Sequence, residues 1–479
     1  MNLHTLTLTT PYLELEEELY HFSNPLALDM PYLVAGSKKA IQLLGLNEDT
    51  LNTSEFLALH NGEFLPKGAK PFSMGYAGHQ FGHYNPYLGD GRAHNLGNVN
   101  GWNLQLKGSG ETFYARSADG RASLRSSIRE FLMSEAMYHL GIPTTRALGV
   151  IGSETEVLRN GIEKAGMVLR LSESWVRFGS FEYLYYTKEY AKLESLAEFV
   201  IKESFSHLQN DEDRFYKIFA EVVKRTAKLI AKWQGVGFCH GVMNTDNMSI
   251  IGVTLDYGPF AMLDDFNFGY VCNQSDKVGR YSYGAQPNVA YWNLTMLAKA
   301  LTPILPQHLS QQLLDAYGEY IYPNAYIEEM REKLGLFEKL DEDTELITEL
   351  VGAMQDAYVD NTLFFRTLSH YNGNREALYD ICMEPIVIHN WLELYDTRLL
   401  KENTPQDQRE KFMLTKNPKY VLKNYMLEKA ITKSLLGDFS EVEKLLFIAS
   451  HPFDELEEYE EYSQETPEIY KNIGLSCSS

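Results

Sequence analysis

Cysteine is scarce in this chain, and its spacing pairs none of it. The four cysteines stand at 239, 272, 382 and 477, with no Cys-x-x-Cys. A structural zinc site is therefore not expected, and scattered cysteines of this kind are usually reduced and structural. A basic surplus is also missing: 43 Lys and Arg stand against 65 Asp and Glu, a net charge of −22. That balance disfavours general binding to nucleic acid or anionic membranes. No run approaches the roughly 18 apolar residues of a membrane span. The first twenty residues lack a basic start followed by an apolar stretch, so no signal peptide is expected. The expectations are a cytoplasmic protein with no membrane or nucleic-acid partner, a monomer being favoured. No repeat occurs at solenoid periods. What is abundant is core material: 479 residues, 44 % apolar and 13 % aromatic. This suffices for a large two-lobed enzyme and argues against disorder.

Residues 1–73 mix short helical stretches with loops and read as an N-terminal extension. Residues 75–98 are dense in Gly, His, Asn and Tyr, and long loops rich in such residues are generally functional. Residues 102–107 alternate apolar and polar and end in Lys-Gly-Ser-Gly, a strand followed by a turn. Leu124, Ile128, Phe131, Leu132 and Met137 fall at helical spacing before Gly141-Ile-Pro143 stops the helix. Short strands are expected at 147–151, 156–158 and 166–171. From 188 onward the pattern is mainly helical, with a long buried helix over 215–233. A loop-strand-loop stretch covers 238–268, including strands at 248–251 and 254–255, and helices resume after 289. The acidic run 454–461 reads as a solvated face or tail. The expected division is 1–74 extension, 75–187 β-rich lobe, 188–400 helical lobe, and 401–479 helical extension and tail.

Four segments carry chemistry when taken together. Gly89-Asp-Gly91-Arg92 offers closely spaced glycines that let a backbone approach phosphates, with Arg92 as a cation. Lys107 ends a strand, and Glu130 on the following helix could orient it toward phosphates, with Glu135 a competing partner. His240 is followed after six residues by Asn247, the spacing of a kinase catalytic loop. The position of the kinase Asp holds Val242, which cannot accept a proton, while Asp246 precedes the Asn. Asp256-Tyr-Gly then resembles the metal-binding Asp-Phe-Gly turn. Order and spacing together point to an α+β, protein-kinase-like two-lobed fold with an N-terminal extension and a helical C-terminal tail.

These residues sit in longer strings: Tyr-Ala-Gly-His-Gln-Phe-Gly from Tyr76, Leu-Gly-Asp-Gly-Arg-Ala from Leu88, Gln-Leu-Lys-Gly-Ser-Gly from Gln105, Asp-Gly-Arg-Ala from Asp119, and His-Gly-Val-Met-Asn-Thr-Asp-Asn from His240. In these the chain resembles the selenoprotein O family of the bacterial YdiU type, pseudokinases with protein adenylyltransferase activity. The resemblance implies ATP bound in an inverted orientation, with the α-phosphate presented to Ser, Thr or Tyr hydroxyls of protein substrates. It implies that Gly89, Gly91, Arg92, Asp119 and Gly120 contact nucleotide, and that Lys107, supported by Glu130, holds phosphates with Arg170 and Arg177. It further implies Asp246 as proton acceptor, and Asn247 and Asp256 as ligands of Mg2+ or Mn2+. Asp119 could instead be only a turn former.

Three other readings stay open on the sequence. A conventional phosphotransferase would use Asp246 as a displaced base. An inactive pseudokinase scaffold would explain Val242. A uridylyltransferase would use UTP with manganese. Some family members carry selenocysteine near the C-terminus, where this chain has Cys477, and the resemblance makes a Cys272–Cys477 disulfide the expected redox tie. Reducing agent should then raise label transfer in the parent chain and leave Cys477→Ala unchanged; an equal response in both would remove the tie.

Overall fold

The computed structural model describes residues 2–159, 161–471 and 473–476. It is a mixed α/β structure, as expected, built on one eight-stranded sheet. The strands are β1 (Tyr20–Phe22), β2 (Tyr32–Gly36), β3 (Phe72–Met74), β6 (Ala93–Val99), β7 (Trp102–Lys107), β8 (Ala122–Ser123), β9 (Arg146–Leu158) and β10 (Ile162–Ser172). Their order is β1-β3-β6-β7-β10-β9-β2, with β8 also paired to β10. A separate hairpin, β4 (Gly78–Gln80) and β5 (His83–Asn85), rises from the Gly/His-rich loop.

Alternation along β7 decides which residues face the site. Leu104 and Leu106 turn to one face and join Leu3, Leu6, Ile41, Phe56, Leu169 and Leu171 in a core layer. Gln105 and Lys107 turn to the other. Register puts Gln105 between Asn95 on β6 and Arg170 on β10, so a polar row crosses three strands. Residues 2–74 supply β1, β2 and β3 and part of that apolar layer.

The helix Leu124–His139 packs on the site-facing side of the sheet. Its N-cap, Ser123, accepts from the Ser126 amide. Buried Ile128, Phe131, Leu132 and Met137 join Val150 and Val168. Glu135 on this helix is not a partner of Lys107. It is fully buried and accepts from Arg146 at 2.7 and 2.8 Å, from the Ala147 amide and from the Ser37 hydroxyl.

Two local expectations need correction. The short strands at 147–151, 156–158 and 166–171 belong to one long hairpin, β9 with β10. Gly152 and Gly166 face each other in it and break the apolar pattern without breaking the ladder. A Cβ on Gly152 would meet the Tyr32 ring at 2.5 Å, and one on Gly166 the backbone of Leu124 at 2.9 Å. The strands at 248–251 and 254–255 reduce to a single bridge between Met248 and Thr254. Ser249 instead bridges Arg177, and Thr254 also bridges Thr144.

The second half is helical. The 23-residue helix Arg214–Val236 ends at Gly237, whose φ of +78° is left-handed, and runs directly into β11 (Phe238–His240). This strand pairs with β12 (Phe260–Met262), so the loop between them is held at both ends. Helices from Gln286–Ala300 to Ser440–Ala449 complete this half. The acidic run at 454–461 is a solvated face, as expected: each of its Asp and Glu residues is exposed, Glu455 and Glu460 accept from Lys419 at 2.6 Å, and Glu455 also accepts from Arg366.

Removing one partner of a buried ion pair leaves an uncompensated charge in low dielectric. Glu135→Ala should therefore destabilise the fold by about 3–5 kcal/mol, read as a shift in the denaturant midpoint. Glu14→Ala, which breaks an exposed pair with Lys202, should leave that midpoint where it is.

Candidate active site

Four charged side chains lock together where β7, β10, the helix Leu124–His139 and the loop after β11 meet. Lys107 Nζ lies 2.6 Å from Glu130 Oε2 and 2.5 Å from Asp256 Oδ1. Arg170 donates from Nη1 to Glu130 Oε1 at 2.8 Å and lies 3.9 Å from Asp256 Oδ1. Arg170 also donates twice to Gln105 Oε1 and stacks 4.6 Å over the Trp175 ring. Burial alone would raise the Asp256 carboxyl, but the charges of Lys107 and Arg170 outweigh it and hold the group well below the usual carboxylate range.

Beside this quartet opens a cleft of about 680 Å³. Its lining includes Arg92, Lys107, Arg116, Arg121, Arg159, Arg170 and Arg177 against Asp90, Asp119 and Asp256. In so acidic a chain this is a local cationic surplus, suited to an anionic ligand. Gly89, Gly91 and Gly120 line it too. Gly89 has φ +119°, and a Cβ there would lie 2.4 Å from the Tyr114 ring. Only glycine allows the chain to turn so close to that ring.

The loop after β11 contributes its acids in different ways. His240 is a framework residue: burial lowers its pKa, its Nδ1 accepts from the Val242 amide, and its ring stacks on Trp233. Asn247 donates to the Val242 carbonyl at 3.0 Å and lines the cleft. Asp246 is buried, and burial pushes its carboxyl up to about 7 against the lowering effects of Gln80 and Arg177. Gln80 donates to Asp246 Oδ2 at 3.1 Å, while Oδ1 is buried and has no hydrogen-bond partner among the described residues.

Arg177, just before the helix Phe178–Tyr186, donates to the Asp246 carbonyl at 2.8 Å. Its other arm lies 3.5 Å from Asp90. Asp90 escaped the sequence reading, although it stands between the two glycines of the motif. It accepts from the Met74 amide, Asn95 and Gln105, and so ties the polar row of the sheet to Arg177. No local pattern signals these contacts: they exist only once β3, β6 and β7 lie side by side. Gln105, Gln80 and Arg159 were missed for the same reason.

Asp119 stands apart from the quartet. It pairs with Arg159 at 2.9 and 3.0 Å and accepts from the Arg121 amide, forming a turn at the cleft rim. Cys272 is buried, and its thiol faces the carbonyls of Cys239 and Pro259. Burial raises that thiol well above its ordinary range. Leu475 of the tail pairs with Asn273 and accepts from the Gln274 amide. Cys477, and with it the expected disulfide, lies outside the described residues.

A divalent cation would need oxygen ligands. Among the described residues no group of three or more His, Cys, Asp or Glu is arranged to hold a metal. Asn247 and Asp256 nonetheless suit a hard cation whose remaining ligands are water and phosphate. The Asn247 amide nitrogen is spent on Val242, leaving its oxygen, and Asp256 Oδ2 is free of the Lys107 bond made by Oδ1.

A family model described as Protein adenylyltransferase SelO matches residues 2–449. The chain belongs to the SelO family. Relatives called protein nucleotidyltransferase YdiU include one from Pseudomonas fluorescens, 46 % identical over 463 residues and covering 95 % of each chain. Another, from Aliivibrio salmonicida, is 44 % identical over 482 residues and covers 99 % of each. A third, from Myxococcus xanthus, is 44 % identical over 456 residues and covers 93 % of each. This SelO-family chain is thus an enzyme with nucleotidyltransferase activity, and a nucleotide is its substrate.

A charged hydrogen bond to phosphate is worth about 1.5–3 kcal/mol. Lys107→Met should therefore weaken nucleotide binding by about 10- to 100-fold in titration calorimetry. Unchanged affinity would remove Lys107 from the nucleotide site.

Proposed function

We propose that this enzyme transfers AMP from ATP to Ser, Thr or Tyr hydroxyls of protein acceptors, in a kinase-like cleft that holds the triphosphate inverted. The observation that carries the reading is a cationic cleft lined by Asn247 and Asp256, with the buried carboxylate of Asp246 next in sequence to Asn247 but outside the lining. Arg92, Lys107, Arg170 and Arg177 line that cleft and would take the phosphates, the guanidinium forks matching pairs of phosphate oxygens. Glu130 holds Lys107 and Arg170 in place. Gly89 and Gly91 keep the backbone close to the ligand. Asn247 and Asp256 would hold Mg2+ or Mn2+, which when bound would neutralise triphosphate charge.

Asp246 then serves as proton acceptor. The acceptor O–H bond breaks as its proton passes to Asp246, the oxygen bonds to the α-phosphorus, and the bond from that phosphorus to pyrophosphate breaks. Val242 at the kinase base position supports a reaction at a different phosphorus. The names of the relatives support proteins as the acceptors. The acidic surface supports recognition of protein rather than nucleic acid.

Incubation with α-labelled ATP and metal should label protein, and γ-labelled ATP should not. Losing a general base costs about 10²- to 10⁴-fold in rate, so Asp246→Ala should reduce α-label transfer by that order, and Asp256→Ala should abolish it. Transfer of γ-label would contradict the reading. Substantial activity in Asp256→Ala would contradict the metal assignment.

A further inference from the structure

Asp246 does not choose its own orientation; the hairpin β4–β5 chooses it. Gln80 Nε2 donates to Asp246 Oδ2 at 3.1 Å. The Gln80 amide is itself oriented, because its carbonyl accepts from Asn85 Nδ2 at 3.3 Å. The Asn85 carbonyl oxygen is occupied in turn by the Tyr87 amide. Either side of Gln80 is tied down. The His79 amide donates to Thr245 Oγ1 at 2.7 Å, and its ring Nδ1 lies 2.5 Å from Glu182 Oε2. The Phe81 amide donates to the Tyr281 hydroxyl at 2.9 Å. Gly78 lies against the remaining carboxylate oxygen, and a Cβ there would stand 3.0 Å from Asp246 Oδ1.

We propose that Gln80 is a positioning residue for nucleotidyl transfer: its hydrogen bond to Oδ2 fixes the orientation of the Asp246 carboxylate that takes the acceptor proton, and Gly78 leaves room for that side chain. This rests on the proposed function, with Asp246 as proton acceptor. No bond to Gln80 forms or breaks. The proton leaves the hydroxyl for the Asp246 carboxylate, the oxygen bonds to the α-phosphorus, and pyrophosphate departs. Gln80 does not line the nucleotide cleft, so its effect separates from nucleotide binding. It also depends on acceptor chemistry. An aliphatic hydroxyl needs the base more than a phenol, whose pKa is near 10.

The test compares kcat, nucleotide KM and melting temperature for the parent, Gln80→Leu, Asn85→Ala, the double variant, Gly78→Ala and Asp246→Ala, with matched Ser and Tyr acceptor peptides. Gln80→Leu should lower kcat about tenfold or more with nucleotide KM unchanged, and the loss should be larger for Ser than for Tyr. Asn85→Ala should lose less, and the double variant should be no worse than Gln80→Leu. Gly78→Ala should lower kcat in the same way. If the parent is active and Asp246→Ala is not, but Gln80→Leu keeps full kcat, this inference alone is overturned. It is equally overturned if Gln80→Leu loses nucleotide affinity and melting temperature together, with no difference between acceptors. A parent that transfers no nucleotide overturns the proposed function and this inference with it.

Discussion

The structure turns on the placement of Lys107 and Arg170 against Glu130 and Asp256. Two cations and two carboxylates share a partly buried corner where the sheet, its packed helix and the loop after β11 converge. Each charge depends on the others: removing one leaves its partner desolvated and unopposed. Asp256 shows the balance most clearly, since burial works to neutralise it and its neighbours keep it ionised. The corner itself carries no net charge; in a chain of net charge −22, the cationic surplus of the cleft comes from the arginines beside it, Arg92, Arg116, Arg121, Arg159 and Arg177.

The rest of the fold serves that corner. Strand register brings Asn95, Gln105 and Arg170 into one row, and Asp90 ties the row to Arg177. Arg177 reaches on to the backbone of Asp246. A continuous chain of polar contacts thus runs from the centre of the sheet to the backbone of Asp246. Glu135, five residues beyond Glu130 on the same helix, is used differently. It anchors β9 through Arg146 and so fixes the helix that carries Glu130.

Much of this was legible in the sequence. The helix carrying Glu130, the strand ending at Lys107 and the long helix before His240 all follow from apolar spacing and clear stop signals. The order of Lys107, Glu130, Asn247 and Asp256 pointed to one site before any contact was known. What pattern could not choose was the partner of Lys107, because Glu130 and Glu135 both lie on that helix. Only packing against β9 separates them. Asp90, Gln105 and Gln80 stayed hidden because their roles come from strand pairing and from a hairpin folded over a distant loop. The split strands at 147–158 and 166–171 were misjudged because Gly152 and Gly166 interrupt the apolar pattern where close packing needs them.

The central claim concerns which phosphorus meets the acceptor. The direct measurement is a crystal structure with a non-hydrolysable ATP analogue and divalent metal. The account predicts an innermost phosphorus turned toward Asp246, with the outer phosphates enclosed by the cationic lining of the cleft. A terminal phosphorus turned toward the acceptor side, or a cleft left empty at saturating nucleotide, would contradict it.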